Sequence, residues 1–149
     1  MILSKIRGDM MYNHIMLAAD GSENAVRAAK EAIKLAKLSD SSKVEVVLVV
    51  NFDKMRTEML HAASTEGLLL ERRRKLLNVE QLLQAQQVNY DVTILKGEPG
   101  PELVKYANEQ NIDIIILGSR GLNSFQEMVL GSVSHKVMKR VNCPALIVK

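Results

Sequence analysis

Apolar residues in this chain follow two rhythms. Three runs are almost unbroken: His14–Ala19 (HIMLAA), Val44–Val50 (VEVVLVV) and Ile114–Leu117 (IIIL). Runs of that length, rich in β-branched residues and flanked by turn formers, read as strands buried on both faces. Tyr90–Leu95 alternates well enough for a further strand, and Cys143–Lys149 supplies a fifth. Between the strands the spacing changes to three and four. Ala25, Ala28, Ala29, Ala32, Ile33 and Ala36 mark one helix face, small enough to sit close on a sheet. Leu68–Gln87 is helical by composition, with Leu69, Leu76 and Leu83 on one side. Leu103, Val104 and Ala107 form the inner face of another helix, and Val133, Val137, Met138 and Val141 that of a last one. Residues 51–67 carry no strong period.

The punctuation agrees with these elements. Ser22 is a good N-cap before Glu23, and Pro101 suits the first position of its helix, where a missing N–H matters little. Lys136, Lys139 and Arg140 fall in the later turns of the last helix, where cations are favourable. Strand and helix alternate throughout. Each crossover must then be a right-handed helix, which predicts a parallel α/β sheet covered on both faces.

Length and composition narrow the class. The 149 residues suit one domain, able to bury roughly two-thirds of its unfolded surface. No internal repeat, low-complexity tract or linker interrupts it. Hydrophobic residues at 47% and charged residues at 25% are ordinary for a globular protein. The net charge of +3 is mildly basic, but aromatics are only 3% and Trp is absent, which argues against nucleic-acid binding. No apolar run approaches the roughly 20 residues of a membrane span. MILSKIRGDM lacks the apolar core of a signal peptide, so a cytoplasmic protein is expected. Residues 1–12 read as an N-terminal extension, and Met10 or Met11 are alternative starts. The single cysteine, Cys143, excludes an intramolecular disulfide framework.

The candidate chemistry lies between Asp113 and Val141. A buried strand stops at Gly118, a loop containing Gly121 follows, and Gly131-Ser132 opens a helix. Glycine lets the backbone approach a ligand closely, and a helix start offers unpaired N–H groups with partial positive charge. The pattern is G-x-x-G-x9-G-S. It is neither G-x-x-x-x-G-K-[ST] nor G-x-G-x-x-G. On this spacing alone, an anion site and a strand-to-helix connection punctuated by glycine both remain open.

The segment GSRGLNSFQEMVLGSVSHKVMKRVNCPALIVK resembles the C-terminal signature of the universal stress protein family, in its ATP-binding branch. The resemblance runs from about Asn13 to Lys149, strongest over 111–149. It implies an adenine nucleotide alpha hydrolase-like fold, a single five-stranded parallel sheet of order 3-2-1-4-5 with helices on both faces. It also implies ATP with Mg2+ or Mn2+ as ligand. Carried over by motif, backbone at Ala18 and Val49 would hold adenine, and Asp20 would lie near ribose and metal. Gly118, Ser119, Gly121, Gly131, Ser132 and Val133 would surround the phosphates, with Arg120 within reach of one. The family often has His before the valine matched by Val49; this chain has Leu48.

Other reactive residues are assigned no role. His135 reads as a surface or packing residue. His14 and His61 have no partner at ligand spacing, and no base adjoins Cys143. Arg72–Lys75 spreads around a helix as a solvated face. The expected function is an ATP-binding, nucleotide-responsive stress module, hydrolysing ATP slowly at most, because no Walker lysine or convincing base is present. The alternatives are a dimeric interaction protein that binds no nucleotide and a nucleotide-hydrolysing enzyme on a related fold. AADGSE lacks the S-G-G-x-D-S type loop of the latter group. A homodimer is expected through Ala145–Val148, an apolar edge strand guarded only by Pro144 and Lys149.

Overall fold

The computed structural model describes residues 11–20, 22–51, 53–54, 65–119 and 131–149. In chain order the elements are β1 (His14–Ala18), α1 (Glu23–Ala36), β2 (Lys43–Val50), α2 (Thr65–Lys75) and α3 (Leu77–Ala85). β3 (Tyr90–Lys96), α4 (Pro99–Glu109), β4 (Ile114–Gly118), α5 (Ser132–Arg140) and β5 (Ala145–Val148) complete it. All five strands are parallel, in the order β3-β2-β1-β4-β5. The expected sheet, its order and its two helical layers are therefore those of the protein.

Strand periodicity divides the core in two. Ile15, Leu17, Val44, Val46 and Ile116 face α1 and α3, where Ala28, Ala29, Ala32, Leu76, Val79 and Leu83 meet them. Met16, Val47, Ile115 and Leu117 face the other way, onto Leu103 and Ala107 of α4 and Val137 of α5. Adjacent residues thus enter opposite layers, which is why β1, β2 and β4 tolerate almost no polar position.

Three boundaries differ from expectation. The helix expected over 68–87 is two helices, broken at Leu76. That side chain is fully buried, and its N–H bonds to the Arg73 carbonyl at 3.1 Å, a tighter turn than the α-helix uses. Across the break, Arg73 donates to both carboxylate oxygens of the buried Glu80, at 2.7 and 3.1 Å. Arg73 is a structural clamp and not part of a solvated face. α4 begins at Pro99, two residues before Pro101; both prolines fall where an N–H has no intrahelical acceptor, so neither disturbs the helix. β5 begins at Ala145, after Pro144.

Polar residues fasten the N-terminal edge of the sheet. Asp113 accepts hydrogen bonds from the backbone N–H groups of Asn13 and His14 at 3.0 and 2.8 Å. Glu45, only 6% exposed in the middle of β2, is surrounded by partners. Thr93 donates to it at 3.1 Å, Tyr106 of α4 donates through its hydroxyl, and His14 Nε2 lies 2.9 Å away. These contacts tie three strands and a helix around one carboxylate, which would be expensive to bury alone.

Burial, reinforced by the bond to Glu45, raises the Tyr106 hydroxyl above its ordinary 10.0. The folded protein therefore holds this proton more tightly than the unfolded chain. The resulting stability is fully present below that ordinary value and is lost as pH rises through the higher folded value. We predict that Tyr106→Phe destabilises the fold by about 1–3 kcal/mol near neutral pH, leaving Glu45 short of a donor. In urea titrations the gap between wild type and variant should narrow in strongly alkaline buffer. A gap that is absent at neutral pH, or that widens with alkalinity, contradicts this role.

Candidate functional site

A parallel sheet sends the C-terminal ends of its strands, and the N-termini of the helices that follow, to one edge. The Ala18–Val47 register and the Ala19 N–H to Val47 carbonyl bond, 3.0 Å, bring the ends of β1 and β2 level. Beside them, β4 ends at Gly118. Between these ends lies a cleft of about 200 Å³. Its floor is apolar, from Ala18, Val47, Val49 and Leu117, and Pro99 and Leu103 of α4 form a wall. Polar groups stand at the rim: Asp20, Ser22, Asn24, and the α5 start at Gly131 with Ser134.

Three helices begin around this cleft, and their N-termini are not equivalent. α1 is capped by its own residue, since Ser22 Oγ accepts from the Ala25 N–H at 3.3 Å. α4 opens with prolines at 99 and 101, which have no N–H to offer. α5 starts from Gly131 with no side-chain cap and no acidic residue in its first turn. The N–H groups of Ser132, Val133 and Ser134 therefore have no intrahelical acceptor, and the helix dipole adds positive potential there. Among the described residues, this is the one of the three starts with neither a side-chain cap nor proline in its first turn.

Asp20 is exposed at the rim, and its Oδ1 accepts the Ser22 N–H at 2.9 Å. It thus shapes the turn into α1 while its charge stays at the cleft. Among the described residues no group of three or more His, Cys, Asp or Glu could hold a metal ion. A cation here would need ligand oxygens besides Asp20.

Gly118 has a packing reason to lack a side chain. A Cβ there would lie 2.6 Å from the Asn24 carbonyl oxygen and 2.7 Å from the Asn24 Cβ. Its glycine lets the first turn of α1 press onto the end of β4.

Of the residues singled out from sequence, Ala18, Asp20, Val49, Gly118, Gly131 and Val133 line this one cleft. Ser119 is buried outside the lining, and its N–H donates to the Val148 carbonyl at 2.8 Å. Ser132 is exposed and also outside the lining. Arg120 and Gly121 lie outside the described residues. Leu48 is buried in the core with Ala19 and Ala25 and is not itself part of the cleft lining. Asn24, Leu103 and Ser134 were not anticipated. Leu103 was read only as core, and Ser134 carries no signal beyond its position two residues after Ser132.

Comparison with known proteins agrees with this architecture. The profile of the universal stress protein family matches residues 11–149. The universal stress protein MJ0531 of Methanocaldococcus jannaschii is 32% identical over 144 residues, covering 95% of this chain and 85% of its own. YxiE of Bacillus subtilis is 32% identical over 157 residues, covering 93% and 100%. The solved structure of MJ0577, also from M. jannaschii, is similar with a TM-score of 0.77 at 31% identity, covering 93% of this chain and 96% of that one.

Proposed function

The chain belongs to the universal stress protein family, and on that premise we propose that it binds ATP together with Mg2+ or Mn2+ as a nucleotide-responsive stress module. The observation that carries this reading is the uncapped start of α5 facing an apolar cleft at the β1–β4 switch point. Adenine packs on Val47 and Val49, and the phosphates meet the backbone N–H groups of residues 131–133. Charge-assisted hydrogen bonds contribute about 1.5–3 kcal/mol each. Association costs an estimated ~4–15 kcal/mol, so the apolar floor has to supply the remainder. The metal would be held by Asp20 and phosphate oxygens, a common arrangement for Mg2+.

No lysine lines the cleft among the described residues, and no carboxylate other than Asp20 does. Fast phosphoryl transfer needs both charge neutralisation and a positioned nucleophile. The proposed module therefore holds its nucleotide and turns it over slowly at most, and we place its action in the cytoplasm. Among the described residues no helix is long and apolar enough to cross a membrane.

In calorimetry, Gly131→Val, which puts a branched side chain at the mouth of α5, should weaken ATP binding at least about tenfold, the loss of one such hydrogen bond. Wild type should prefer ATP to ADP and ADP to AMP. Equal ATP affinity in wild type and variant contradicts the site.

We also propose a homodimer through β5. This strand is at the sheet edge, Leu146 is 36% exposed on it, and Met138 of α5 is 52% exposed. Two such edges can pair antiparallel about a twofold axis. Ile147 packs into the core, so Leu146 is the cleaner position to perturb. Leu146→Lys should lower the sedimentation mass from dimer to monomer with the melting temperature nearly unchanged. A wild type that sediments as a monomer at tens of micromolar contradicts the proposal.

A further inference from the structure

We propose that the groove between α1 and α3 docks an acidic amphipathic helix of another protein, an interaction separate from the cleft at the strand ends. The two helices lie side by side on one face of the sheet, where Ala28, Ala29, Val79 and Leu83 pack into the same core. Their C-terminal ends are tied by a hydrogen bond from Lys37 Nζ to the side-chain carbonyl of Gln86. Toward their N-terminal ends, Val26, Lys30, Asn78, Gln81 and Leu82 line a groove of about 380 Å³. None of these residues lines the other cleft.

The shape suits a helix. Val26 and Leu82 are half-buried against the core and form an apolar floor, while Lys30, Asn78 and Gln81 are exposed along the rim. Leu77, next to Asn78, is 47% exposed and extends the apolar surface at one end. Two helices packed side by side leave a furrow into which the apolar face of a third can settle, a common way of binding amphipathic helices. A flat bilayer cannot follow a concave groove rimmed with amides. Among the described residues the lining has no aromatic ring on which a nucleobase could stack.

Charge selects the occupant. The lining holds one cation and no carboxylate among the described residues. α3 has a single acid, Glu80, and that residue is buried on Arg73, so the exposed face of α3 offers only neutral groups such as Asn78, Gln81 and Gln84. The exposed face of α1 carries Arg27, Lys30 and Lys34 at three- and four-residue spacing. Against them stand Glu31, which pairs with Lys34 at 3.0 Å, and Glu23 in the first turn. Arg74 and Lys75, both exposed, end α2 a turn before Asn78. A second copy seated here would set the same cations against one another, whereas a helix bearing Asp and Glu beside its apolar face complements them. The Asn78 and Gln81 amides can each donate to such a carboxylate.

The test is selection from a displayed random-peptide library on the wild-type protein, followed by calorimetry with the enriched peptides. These should carry apolar residues at helical spacing with Asp or Glu beside them, and bind in the micromolar range, more weakly as salt rises. Lys30→Glu and Gln81→Glu, both at exposed positions, should each weaken binding at least about tenfold with the melting temperature nearly unchanged. Lys105→Glu, exposed on α4 in the other helical layer, should leave the affinity as it is. No enrichment, enrichment of basic sequences, or full affinity in Lys30→Glu would each overturn the proposal. Binding to phosphatidylglycerol vesicles, or self-association in sedimentation, that Lys30→Glu abolishes would assign the face to a membrane or to a second copy and overturn it as well.

Discussion

The direction of the strands governs everything at the cleft. With all five parallel, each connection must cross the sheet, and each helix that follows a strand begins at the same edge. Strand ends and helix starts thus crowd together there whatever the side chains are. Sequence decides which helix starts are closed and which is left open. α1 is closed by Ser22, α4 by prolines that carry no N–H, and α5 is left with Gly131. The site is defined as much by the two starts that are satisfied as by the one that is not.

Glycine serves two purposes in this arrangement. Gly131 puts no side chain at the start of α5, where it lines the cleft. Gly118 instead admits the backbone of Asn24, and through it the whole first turn of α1, to the end of β4. Both look alike in a motif. Only the contacts around them show that Gly118 is the glycine a neighbouring helix needs. At the opposite edge of the sheet, the carboxylates of Glu45 and Asp113 have their donors.

Much of the architecture was legible in the sequence because burial on both faces makes a strand an unbroken apolar run. Strand order came from the resemblance, since hydrophobic rhythm says which segments are strands and not which are neighbours. The break at Leu76 was not legible: Leu69, Leu76 and Leu83 fit one continuous helix, and an Arg73–Glu80 pair seven residues apart fits a continuous helix as well as a broken one. Glu45 was hidden for a different reason, its partners being 31, 48 and 61 residues away. At the cleft the glycine spacing named residues that the fold brings to one place, since Gly118 and Gly131 both line it. It did not show that Ser134 lines the cleft and Ser132 does not, because a difference of two residues on a helix changes the face and leaves the motif intact.

The open helix start above an apolar floor is proposed to hold a nucleotide. The most direct measurement is mass spectrometry of the protein purified gently and then denatured, to identify what it carries. The expected result is an adenine nucleotide, with the triphosphate enriched over the monophosphate, in substoichiometric to equimolar amount. Protein free of any nucleotide, and still free after incubation with ATP and Mg2+ followed by rapid desalting, would contradict it.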